Sequence, residues 1–241
     1  MRLSDFDALT FDMIGTLIDF ERGILDWARP RILRVRHQES DDNILECYAR
    51  SQMAVRKAEP NLSFSRRFPK IWAGMAKEYG IEPRPEDGAS MLAAARQWPA
   101  FPDSAPVLAF LKTQFHHLVV VTNGDRVSAR AMANTLGSPF SAIITEEDMG
   151  VSKPGLGAFE YFTAYLDRLG VPRQRILHVA QSQYHDIGAA KRFGLATAWI
   201  YRRHGRTGYG GTPAPETFTP PDFLAISLED LARQYKLDLA L

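Results

Sequence analysis

The chain has 241 residues, 45% hydrophobic and 24% charged, with a formal net charge of +1 at pH 7. That composition suits a soluble globular protein with a sizeable core and excludes long-range electrostatic capture of nucleic acid or an anionic membrane. A single cysteine, Cys47, rules out an intramolecular disulfide, and no apolar run approaches the ~20 residues that span a bilayer.

The opening Met1-Arg2-Leu3-Ser4-Asp5-Phe6-Asp7 is unlike a signal peptide, so a cytoplasmic protein is expected. The first strong signal follows. Ala8-Leu9-Thr10-Phe11 is apolar and β-prone, and it delivers Asp12 to a strand's C-terminal end, where parallel α/β sheets place their chemistry. Gly15 and Thr16 then turn the chain. A carboxylate held in such a turn is a candidate nucleophile. Two residues beyond it stands Ile14, which can neither give nor take a proton.

Residues 22–37 and 43–58 read as helices, with Ser40-Asp41-Asp42-Asn43 as a capping cluster. Phe64 to Tyr79 and Glu86 to Trp98 read as two more, punctuated by Pro60, Pro69, Pro83, Pro85 and Pro99. Cys47, Trp27, Trp72 and Trp98 in this region are expected to pack, with one of the tryptophans a candidate to face a substrate. The economical reading is a helical cap over 20–99, inserted into a core formed by 1–19 and 100–241. Pro102 to Phe115 returns to the core as a helix. Strand-like runs follow at 117–122, 141–145, 175–180 and 196–201, with helical stretches at Val127 to Leu136, Gly157 to Leu169 and Asp186 to Phe193 between them. Gly205 to Pro221 reads as a long loop, and Ser227 caps a closing helix to Tyr235. The alternation predicts an α/β fold, a Rossmann-like parallel sheet with helices on both faces.

Four polar elements stand at the ends of these strands: Asp12 with Thr16, Thr122-Asn123-Gly124, Lys153-Pro154, and Asp186. Three of them have an ordinary alternative: a turn at Thr122-Asn123, an exposed Lys153, a helix-capping Asp186. Taken in order, they resemble the haloacid dehalogenase superfamily. The resemblance implies a helical cap inserted after the first motif. It makes Asp12 the nucleophile, with Thr16, Lys153 and Asp186 as its catalytic partners. A lysine beside Asp12 favours its ionised form. Thr122 and Asn123 would orient substrate, and Asp186 would position Lys153 or a water.

Phosphatases of that superfamily carry a second aspartate where Ile14 stands, and bind magnesium through a further acid before Asp186. Here the candidates at that point are Ala180, Gln181, Ser182 and Gln183, none acidic. The pattern is more similar to the L-2-haloacid dehalogenase branch, which has an apolar residue at position 14 and needs no metal or other cofactor. That resemblance implies a small haloacid as substrate and attack of Asp12 on its α-carbon. Met13 and Ile14 would form a dry wall. Members carry a tyrosine at the position of Phe159, Ser and Asn at those of Gln181 and Gln183, and a cap arginine that receives the halide. Arg50 is the match by position, with Arg56, Arg66 and Arg67 as other candidates. Gln183 and Tyr184 would line the pocket, His185 would help activate water, and His178 would pack in its strand.

Two alternatives stay open. One is a phosphatase or phosphonate hydrolase, the latter recruiting a cap lysine such as Lys57 or Lys70. The other is a binding protein on an inactivated core. Some relatives dimerise, so a homodimer is compatible with the resemblance; no nucleic-acid or membrane partner is expected.

Overall fold

A computed structural model describes residues 1–240. Its centre is a parallel sheet of six strands in the order β3-β2-β1-β4-β5-β6. The strands are β1 (Ala8–Phe11), β2 (His117–Thr122), β3 (Ala142–Thr145), β4 (Ile176–Ala180), β5 (Ala196–Ile200) and β6 (Phe223–Ala225). Every residue of β1 and β4 is buried, as strands covered on both faces by crossover helices require. Each runs as an apolar stretch with one polar interruption, Thr10 in β1 and His178 in β4. Strands β1 and β4 pair with Thr10 opposite His178. The strand order reverses at β1, between β2 and β4. Such a switch point opens a crevice at the strands' C-terminal ends, and Asp12 and Gln181 emerge there.

Four helices follow β1 before the chain returns to the sheet: α1 (Phe20–Ile32), α2 (Asp41–Ala58), α3 (Phe64–Tyr79) and α4 (Asp87–Ala95). They form the helical cap. Ser40 caps α2 by accepting the Asn43 N–H, as its sequence cluster indicated. Trp27 meets Trp72 edge to face at 4.8 Å. Trp72 donates Nε1–H to Asp87 at 2.9 Å, so its polar edge is satisfied inside the cap. Cys47 is buried, and burial with the nearby Glu78 pushes its thiol up to about 12, which leaves it an inert packing residue.

The core resumes with α5 (Ser104–Gln114), α6 (Arg126–Thr135), a short α7 (Glu146–Met149) and α8 (Leu156–Asp167). One π-helical turn, Gln183–Ile187, precedes α9 (Gly188–Phe193). Asp186 lies inside that turn, and the cap is Ser182, which accepts the His185 N–H at 2.8 Å. The closing α10 (Leu228–Leu239) is capped by Ser227. Strand β6 was not anticipated. It lies at the edge of the sheet, behind the Gly- and Pro-rich loop, and its three residues are too few for a periodic signal. Among the described residues no helix is long and apolar enough to cross a membrane.

Two buried arginines fasten the cap to the core through ion pairs. Glu146, directly after β3, accepts from Arg67 at 2.8 Å and from the backbone N–H of Phe64 at the start of α3. Arg203, after β5, reaches Glu21 of α1 at 2.6 Å and Asp42 of α2 at 2.7 Å. The loop behind Arg203 is thereby drawn over the crevice, where Gly211 donates its N–H to Glu21.

Candidate active site

Asp12 leaves the end of β1 with its N–H bonded to the Val179 carbonyl of β4. Gly15 then takes φ +93°, a conformation that side chains disfavour, and a Cβ there would also lie 3.0 Å from Gln181 Oε1. The turn folds Thr16 back so that its hydroxyl donates to Asp12 Oδ2 at 2.8 Å. The same hydroxyl oxygen accepts the Gln181 N–H at 2.9 Å, tying the two strand ends together.

Lys153 is 1% exposed and uses all three of its N–H bonds. They run to Asp12 Oδ1 at 3.0 Å, Asp186 Oδ1 at 2.6 Å and the Val121 carbonyl at 2.7 Å. Its ammonium therefore bridges both carboxylates, and their charges raise its pKa against the effect of burial. Asp12 itself sits higher than the sequence indicates. Burial raises its pKa to about 6, with help from the Asp186 charge, although Lys153 and Thr16 pull it down. Asp186 goes the other way: burial opposes its ionisation, but Lys153 and His178 together hold it at about 2.

The carboxylate of Asp12 opens on a cavity of about 60 Å³ between cap and core. At roughly 10–15 Å³ of such space per water, that is room for about four waters or a small organic acid. Ile14, Thr122, Asn123 and Asp186 line it, as expected. Thr122 Oγ1 accepts the Gly124 N–H, which leaves its own proton for a ligand. Asn123 plays a different part from the expected one. Its amide donates to the Lys153 carbonyl and accepts the Lys153 N–H, both at 2.8 Å, so its side chain pins the loop that carries the lysine.

Four expectations need correction. Arg50 is exposed and pairs with Glu78 at 2.6 Å, on the outer side of α2. At about 100° per residue it points away from the stripe Tyr48, Gln52 and Arg56, whose i, i+4, i+8 spacing faces the cavity. Met13 is fully buried and does not line the cavity; Ile14 alone of the pair forms the wall. Gln183 turns to the loop and accepts the Thr219 N–H at 3.1 Å. Tyr184 lines a neighbouring cleft of about 490 Å³, to which Arg56 also contributes.

Arg56 is the guanidinium that the spacing of α2 could have revealed. Its Nε has no hydrogen-bond partner among the described residues. Glu146, which it faces electrostatically, pairs with Arg67 instead. Burial and the charge of Arg67 lower its pKa to about 10, so it remains a cation at neutral pH. His185 also lines the cavity, but burial beside Arg56 drives its pKa down to about 3, too weak a base to draw a proton from water at neutral pH. Of the cap tryptophans, Trp98 reaches the cavity.

A family model for haloacid dehalogenase-like hydrolases matches residues 6–194. The chain belongs to that family. Among its relatives are (S)-2-haloacid dehalogenase 4A of Burkholderia cepacia, 22% identical over 237 residues, covering 93% of this chain and 92% of the relative. Another is the 5-amino-6-(5-phospho-D-ribitylamino)uracil phosphatase YigB of Escherichia coli K12, 31% identical over 215 residues, covering 84% and 87%. In fold, the chain is similar to the L-2-haloacid dehalogenase of Xanthobacter autotrophicus, with TM-score 0.75, 23% identity and coverage of 96% and 98%.

A phosphatase stands among these relatives, so the donor set of this hydrolase matters. Lys153 and Thr16 take the two Asp12 oxygens, and Lys153 and His178 share Asp186 Oδ1. Ile14 contributes no oxygen from its side chain. Among the described residues no group of three or more His, Cys, Asp or Glu is placed to hold an ion. A hard cation prefers several oxygen ligands, and the carboxylate oxygen without a protein partner here is Asp186 Oδ2 alone. The cap lysines considered for phosphonate chemistry, Lys57 and Lys70, are both exposed, and Lys70 pairs with Glu59 at 2.7 Å.

Proposed function

We propose that this hydrolase cleaves the carbon–halogen bond of small 2-haloacids through a covalent ester on Asp12. One observation carries the reading: the clamped Asp12 carboxylate shares a small cavity with an unpaired guanidinium, Arg56, and with Ile14 where a proton donor would stand. A departing halide needs a cation to receive it and no proton. A departing alkoxide needs the proton.

In the first step an Asp12 oxygen attacks the α-carbon from the side opposite the halogen. The new C–O bond forms as the carbon–halogen bond breaks, and its electron pair leaves with the halide toward Arg56. Thr122 holds the substrate carboxylate. In the second step a water, oriented by donating a hydrogen bond to the unpartnered Oδ2 of Asp186, attacks Cγ of the esterified Asp12. The tetrahedral adduct collapses, the ester C–O bond breaks, the departing alkoxide takes one proton of the water, and the other stays on the Asp12 carboxyl until it ionises.

Chloride release from L-2-chloropropionate and chloroacetate, with a chelator present, tests the reading. Release that the chelator leaves unchanged is expected. No release from several haloacids, with magnesium-dependent phosphate release from phosphate esters, would overturn it.

The correction from Arg50 to Arg56 has its own consequence. Arg56→Met is expected to lower kcat/KM for chloride release by roughly ten- to hundredfold, as for a lost charged hydrogen bond of about 1.5–3 kcal/mol. Arg50→Ala should leave it unchanged, because that guanidinium is spent on Glu78 at the surface. The opposite ranking in steady-state kinetics would return the halide site to Arg50.

A further inference from the structure

We propose that His178 is a positioning residue for the hydrolytic half-reaction, holding Asp186 through a buried relay that begins at Thr10; the inference rests on the ester mechanism above. His178 lies in the middle of β4 and is fully buried. Its Nε2 is 3.0 Å from Asp186 Oδ1, and its Nδ1 is 2.9 Å from Thr10 Oγ1 on β1. The ring is gripped between aromatic neighbours, stacked on Phe162 and met edge-on by Phe159, each at 5.7 Å between centroids. Phe159 brings no hydroxyl to this cluster. Here the polar support to Asp186 comes from the strand beside it.

The protons in this chain follow from its ends. Asp186 is ionised and only accepts, so Nε2 must carry the proton it donates. Burial keeps the imidazole below its ordinary pKa, hence neutral. Nδ1 is then an acceptor, and the Thr10 hydroxyl is its donor. The relay reads Thr10 to His178 to Asp186, with Lys153 entering Asp186 from the other side.

Its use lies in what changes during turnover. Both Lys153 and His178 donate to Oδ1, so the carboxylate cannot rotate and Oδ2 is left without a protein partner. Esterification removes the negative charge of Asp12, and the balance of forces on Lys153 changes with it. His178 touches only Asp186 and Thr10 among polar groups, and its bond is the same before and after alkylation. It keeps Oδ2 aimed at the water while Lys153 readjusts.

The test compares wild type, His178→Phe and His178→Gln in single-turnover mixing with L-2-chloropropionate, following chloride and the intact-protein mass together. For His178→Phe, chloride should appear nearly as fast as in wild type. Ester hydrolysis should be roughly ten- to hundredfold slower, so protein carrying the acid as an adduct accumulates. His178→Gln, which keeps a donor near the Nε2 position, should restore much of the hydrolysis. Loss of both steps by one common factor, or unaltered hydrolysis in His178→Phe, would overturn the proposal. If His178→Phe does not fold, Thr10→Val removes only the far end of the relay and should show the same split to a smaller degree. Nitrogen-15 NMR of the wild type decides independently of turnover: a neutral His178 protonated at Nε2 is required, and a proton on Nδ1 instead overturns the relay. A wild type that releases no halide but shows that tautomer would sink the dehalogenase reading and the kinetic role of His178 with it, while leaving the relay in place.

Discussion

Asp12→Asn is expected to abolish halide release, with a loss on the order of 10⁴–10⁶-fold, the scale seen when a covalent nucleophile is removed. The amide nearly matches the carboxylate in shape, so the cavity is retained while the attacking lone pair is lost. The wild-type pH profile belongs to the same group. Burial raises Asp12 to about 6, and only its ionised form attacks. Chloride-release kcat/KM should therefore rise through about pH 6, level off above it, and fall about tenfold per unit well below it. The two measurements are independent. A profile flat down to pH 4 would mean that Lys153 outweighs burial at Asp12, and residual turnover by Asp12→Asn would mean that another group is the nucleophile.

Lys153→Met should damage activity and stability together. The ammonium is the shared partner of two buried carboxylates and is itself 1% exposed. Removing one member of a buried ionic cluster leaves uncompensated charge and costs about 3–5 kcal/mol, which lowers Tm by roughly 10 °C in a chain of this size. Without the cation, Asp12 and Asp186 repel across the cavity and one of them takes up a proton. Asp12, the weaker acid, is the one to do so, and an Asp12 that is protonated at neutral pH cannot attack. Thermal melting and chloride release measured on one preparation check both parts. A variant as stable as wild type but inactive would confine Lys153 to chemistry. One that is less stable but fully active would confine it to structure.

The motif residues were legible because each lies in the segment that follows a strand whose apolar run is itself readable. Asp12, Thr16, Lys153 and Asp186 follow such runs, and parallel strands in one sheet bring their ends together whatever lies between. The helical cap was legible for the same reason, as a long stretch without a strand. The arginine was not, because its choice depends on the rotation of α2 against the core. Arg50 and Arg56 have the same chemistry and lie on the same helix. Only docking sends one toward Glu78 and the other into the cavity. Gln183 and Tyr184 failed similarly, since the π turn at 183–187 redirects side chains that an ordinary helix would have placed elsewhere.

By itself, then, the sequence determined the alternation of strands and helices through β5, the position of Asp12 at the end of β1, and the lack of a proton donor at Ile14, because these depend on local patterning and residue type. Tertiary structure alone decided the charge state of Asp12, the identity of the free guanidinium and the partnership of His178 with Asp186. Each depends on burial or on distances between residues far apart in the chain. The pairing of β1 with β4 puts Thr10 beside His178, and the closure of the cap removes Asp12 and Arg56 from water.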